Sequence, residues 1–169
     1  MIPSSIISPQ EDLSLSISPL HSNWQIQGVL LTSLLCGPQI GTISAISYLI
    51  IGLFYLPVFH GGGSVGYIIT HEFGYLLGFI PAAWICGFLA KQNTKANLIN
   101  YSYYTILSLC VVHIIGIIYI IIGKVFGNWL EDLSDLIFIN TFIPFPTQLL
   151  LCISISLLSI FLRRVLIIK

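Results

Sequence analysis

Charge is what this sequence has least of: six basic and six acidic residues make up 7% of 169 positions and cancel to a net charge of zero. Soluble domains devote about 25% of their residues to charge, so a water-exposed globule is excluded. Phosphate binding needs a clustered surplus of Lys or Arg, so a nucleic-acid partner is excluded too. The four cysteines, Cys36, Cys86, Cys110 and Cys152, lie inside apolar runs without metal-ligand spacing and read as small buried hydrophobes. What remains is apolar: 56% of the residues are hydrophobic and the mean hydropathy is +0.98.

A helix needs about 20 apolar residues to cross a bilayer. Runs bounded by Pro, Gly, Lys and Arg give five candidate spans: a short one from Trp24 to Cys36, then Gln39 to Val58, Phe73 to Ala90, Leu98 to Gly123, and Pro146 to Ile168. The expected architecture is an all-α membrane bundle, with residues 1–23 as a non-membrane N-terminal segment and 24–169 as the transmembrane domain. Lys124 to Phe145 reads as an interfacial loop or partial helix. Basic residues near span ends stay cytoplasmic, and Lys91, Lys95, Arg163, Arg164 and Lys169 fall on one side when the spans alternate. The loop from His60 to Glu72 and the acidic stretch with Glu131, Asp132 and Asp135 then face outward. The N-terminal segment lands outside as well; it has no Lys or Arg and no apolar core for a signal peptide, so a further upstream span would complete the alternation.

Helices in lipid associate through small residues that let backbones approach. Gly74, Gly78, Ala82, Cys86 and Ala90 recur every four residues on the third span, and Gly37, Gly41 and Ala45 repeat the step on the second. Both stripes serve packing within the bundle or docking to another membrane protein.

Glu72 is the only acidic residue between Asp12 and Glu131, and it follows His71 just beyond Gly61-Gly62-Gly63. A carboxylate in hydrocarbon costs about 2.5–3.5 kcal/mol on insertion scales, so Glu72 marks a polar cavity or the water layer. The bare glycine backbone can donate N–H groups to an anionic or carbonyl group. His71-Glu72-Phe73-Gly74-Tyr75 resembles the HExxH helix of intramembrane zinc proteases, and Asn140 to Gln148 resembles the stretch before their third ligand. Tyr75 replaces the second histidine, however, and no aspartate follows Pro146, so no three-ligand zinc site assembles. His113, alone on an apolar helix, reads as a packing residue. Thr147 and Gln148 follow the Pro144-Phe145-Pro146 break, where a proline-started helix leaves N–H groups free to help recognise an uncharged heterocycle. Gln27 and the interfacial anchor Trp24 lie at the same level.

From Leu35 to Ala90 the chain resembles the BioY family, the biotin-capturing subunits of energy-coupling factor transporters. The resemblance is carried by Gly37-Pro38 with Gly41, Tyr48, Leu56-Pro57-Val58-Phe59 leading into Gly61-Gly62-Gly63, and Gly74-Tyr75-Leu76-Leu77-Gly78-Phe79, in the family's order and spacing. It extends to Pro144-Phe145-Pro146 and Arg163-Arg164. It implies a bundle of six helices in the family, about five of them here, that binds biotin from outside and hands it to a transmembrane coupling protein driven by ATPase subunits. By position, Gln27, Gly61, Gly62, Gly63, His71, Glu72, Tyr75, Thr147 and Gln148 match the family's binding regions. No catalytic residue, metal or cofactor is expected. Two local departures stand out: His71-Glu72-Phe73 replaces a Pro-Thr-Gly turn, and Thr147, Gln148 and Leu151 replace a Pro-Gly-Asp start with its following lysine. The ligand carboxylate must then meet His71, backbone N–H groups or solvent, or the substrate differs. Alternatives are capture of another vitamin, such as a flavin or thiamine, and an inactive relative of the zinc proteases. The family's first helix has no counterpart in the polar residues before Ser14, which fits a shortened subunit or an earlier start. The isoleucine-rich usage fits a bacterial plasma membrane or a plastid envelope.

Overall fold

The computed structural model describes residues 24–56, 58–59, 64–92, 97–127, 129–130 and 132–166. The N-terminal segment 1–23 and the glycines 61–63 lie outside the described residues. Helices α1 (Gln25–Cys36), α2 (Pro38–Phe54), α3 (Phe73–Gln92), α4 (Leu98–Val125), α5 (Leu133–Ile137) and α6 (Phe145–Val165) follow in order, with a 3-10 turn at Val65–Ile69 and a π turn at Phe138–Phe142. Helices α3 and α4, and the helical stretch Leu133–Val165, are long and apolar enough to cross a membrane, while α1 and α2 are shorter apolar helices. The five expected spans coincide with α1, α2, α3, α4 and α6 to within a few residues.

Between α1 and α2 the chain turns at Gly37, whose φ of 87° lies in the left-handed region that a side chain disfavours. Its N–H donates to the Ser33 carbonyl at 3.0 Å. Pro38 then opens α2 at a first-turn position where its missing N–H costs nothing. The hydroxyls of Thr32, Ser33, Thr42, Thr105, Ser108 and Ser156 donate to carbonyls four residues back, which satisfies them where no water reaches.

Helix α3 is the centre of the bundle and packs against α4, α2 and α1, while α6 closes on α4 and α1. All five residues of its small stripe, Gly74 to Ala90, are buried. A Cβ at Gly78 would come within 2.9 Å of the Val112 backbone, so α3 and α4 touch main chain to main chain there. On the outside, α2 presents Ile40, Ile43, Ile50, Ile51 and Phe54 as exposed apolar surface, as expected where the solvent is lipid.

Of the two forms expected for Lys124 to Phe145, interfacial loop or partial helix, the structure takes the second: α5 and the π turn run into α6, and the Ile143 N–H reaches back five residues to the Phe138 carbonyl at 3.1 Å. The prolines do not break this run, because Pro144 caps α6 and Pro146 sits in its first turn. Cys36, expected to be buried, is exposed at the end of α1; Cys86 and Cys152 are buried.

The polar residues sort to two ends. At one, Lys91 lies in the last turn of α3, and an Arg163 guanidinium N–H donates to the Leu34 carbonyl at 3.0 Å while its carbon sits 5.6 Å from the Tyr101 ring centre. At the other gather Gln25, Phe59, the 3-10 turn, Glu72 and Trp129.

Candidate functional site

Four side chains from three helices and the π turn meet at this second end. Tyr75, in the first turn of α3, shares a hydrogen bond of 2.7 Å with Thr141 Oγ1 of the π turn. The space its ring needs exists because residue 116 is glycine; a Cβ there would collide with the phenol. On α4, His113 Nε2 lies 2.9 Å from Gln148 Oε1 on α6. The Tyr75 and Phe145 rings meet the imidazole edge-on, with centroids at 5.8 and 5.2 Å. His113 is 5% exposed and Gln148 8%. The cluster carries hydroxyl, amide and imidazole groups beside aromatic rings and no acid or ammonium, which suits an uncharged polar group on an otherwise apolar ring.

An aromatic rim lies at the same end of the bundle. Phe59 lies between Tyr48 and Tyr67, with centroid separations of 5.6 and 4.8 Å. The Tyr67 hydroxyl donates to the Glu72 carboxylate, and the Tyr119 hydroxyl to the Ile68 carbonyl, so both tie the 3-10 turn to the bundle. Burial first, and then the hydrogen bond to Glu72 and its charge, hold the Tyr67 phenol above its usual range. Val58 presents its carbonyl to Gln25 Nε2 at 3.2 Å and to the Tyr48 hydroxyl at 3.1 Å.

Of the residues picked out from sequence, Tyr75 and Gln148 belong to the cluster, and Thr147 is half-buried beside Gln148. Gln27 is buried within α1. Glu72 belongs to the rim through Tyr67. His71 sits edge-on to Trp129 at 6.0 Å, in the same rim. Gly61, Gly62 and Gly63 fall outside the described residues. Thr141, not singled out from sequence, joins the cluster through its hydrogen bond to Tyr75. His113, read as a packing residue, is buried, hydrogen-bonded and packed against two rings as expected. Among the described residues, no three His, Cys, Asp or Glu side chains converge as a metal site would require.

Comparison with known proteins gives this geometry a lineage. A Lysinibacillus sphaericus protein described as a probable biotin transporter BioY is 31% identical over 111 residues, covering 66% of this chain and 56% of that one. The chain thus spans just over half the length of this relative. The biotin transporter BioY of Thermotoga maritima is 28% identical over 136 residues, covering 79% and 74%. The crystal structure of the S-component for biotin from an ECF-type ABC transporter superposes with a TM-score of 0.71 at 23% identity, covering 85% of this chain and 75% of that one, and so shares its fold. The sequence profile of the BioY family matches residues 6–167. The chain, a bundle of apolar helices for a membrane, belongs to the BioY family.

Proposed function

We propose that this chain is a membrane subunit that captures biotin from the outer side and passes it to a transmembrane coupling protein with ATPase subunits. The observation that carries the reading is the uncharged cluster of Tyr75, Thr141, His113 and Gln148, set beside aromatic rings at one end of a BioY-family bundle. Biotin offers a ureido group that needs hydrogen bonds, an apolar thiophane ring that needs shelter and a carboxylate on a flexible tail. The cluster serves the first two needs. The carboxylate is assigned to His71 at the rim and, from the sequence, to the backbone N–H groups of Gly61, Gly62 and Gly63, in place of a lysine. Gln27, Glu72 and Thr147 complete the proposed contacts. The end bearing Lys91, Arg163 and Arg164 faces the cytoplasm under the positive-inside rule, in a bacterial plasma membrane or a plastid envelope.

Purified full chain in detergent is expected to bind biotin with sub-micromolar affinity in calorimetry, and no interaction at millimolar ligand overturns the assignment. A thermal-shift panel containing a flavin and thiamine separates biotin from other vitamins: only biotin should raise the melting temperature.

A further inference from the structure

His113 has one ring nitrogen engaged and the other unmet. Nε2 faces Gln148 Oε1 at 2.9 Å, and an amide oxygen can only accept, so Nε2 carries the proton. The groups against the ring are Tyr75, Phe145 and Gln148, none of them charged. An imidazolium would be costly in that company, so the ring is neutral and Nδ1 holds a lone pair. Nδ1 is shut off from solvent and has no hydrogen-bond partner among the described residues. Buried acceptors are nearly always met, so an unmet one beside two aromatic faces calls for an explanation.

Resting on the biotin reading above, we propose that His113 Nδ1, on an imidazole packed by the Tyr75 and Phe145 rings, is the acceptor for one ureido N–H of the ligand. Gln148 then acts twice: it sets the tautomer of His113 and holds its ring in place. A lone pair repels a carboxylate, so this nitrogen selects a cyclic urea or amide N–H and leaves the acid end to point toward the rim. Discrimination of this kind is strong, because a ligand lacking the N–H leaves a buried group unpaired.

The test is calorimetry on the full chain in detergent with four probes: biotin, its methyl ester, and biotin methylated at each ureido nitrogen in turn. For the native protein, one of the two N-methyl compounds should bind about 10- to 100-fold more weakly than biotin, with a smaller loss for the ester. His113→Leu should weaken biotin by a similar factor without weakening that N-methyl compound further. His113→Asn keeps an acceptor near the Nδ1 position and should recover part of the affinity. His113→Gln places its polar atoms nearer Nε2 and should not. Biotin binding of native strength in His113→Leu, or in His113→Gln where the leucine variant fails to fold, overturns this assignment alone. Native protein that binds no biotin overturns the functional reading and this inference together.

Discussion

Gln148 shows how much one side chain can settle. Its amide holds His113 and faces the cluster, so Gln148→Leu should weaken biotin binding by about 1–3 kcal/mol, measured by calorimetry. The same change leaves Nε2 unmet and should also lower the melting temperature. Tyr67 supplies a pH dependence. Its folded-state ionisation lies above the ordinary phenol value of about 10, so its contribution is fully present below that pH and is lost as pH rises beyond it. Melting temperature should therefore fall more steeply above pH 10 in the native protein than in Tyr67→Phe, which cannot ionise. Tyr75 and Gln148 were legible in the sequence because each lies near a span end, which the glycine run or the proline pair marks. The partner of His113 was not: its pairing with Gln148, 35 residues away in sequence, depends on the register of α4 against α6, which no local pattern records.

At the scale of elements, the four-residue step of small side chains on α3 marks its packing face in the sequence alone, since only a face pressed against a neighbour gains from losing its side chains. That stripe is where tolerance should be lowest. Gly78→Val drives a branched side chain at the Val112 backbone 2.9 Å away and should destabilise by about 1–3 kcal/mol in detergent melts. Gly28→Ala on α1 meets nothing within 4 Å and should be neutral or stabilise by about 0.5–1 kcal/mol. Equal losses at both positions would mean that close approach is not what glycine provides on α3. The acids and aromatics of Lys124 to Phe145 suit an interfacial loop and a partial helix alike, and the structure forms the helix over residues 133–142. Pro144 and Pro146, taken as a break, instead occupy positions where a helix starts without penalty.

For the whole molecule, the basic residues gave a sidedness that the packing can express, since Lys91 and Arg163 gather at one end and Glu72 and Trp129 at the other. In a cysteine-free background, Ser64→Cys should react with an impermeant maleimide on intact cells and Asn97→Cys only after permeabilisation; the reverse pattern inverts the proposed orientation. The bundle is also fastened unevenly. Thr105 and Ser156 at 3.3 Å and the His113–Gln148 pair bolt α4 to α6, whereas the hydroxyls of Thr32, Ser33 and Thr42 are spent on their own helices and the small stripe of α3 meets its neighbours through glycine and alanine. A sideways load would thus find a stiff two-helix block beside a greased seam. Slip by an ångström or two along that seam would load the Tyr75–Thr141 hydrogen bond, the stitch that holds α3 to the π turn.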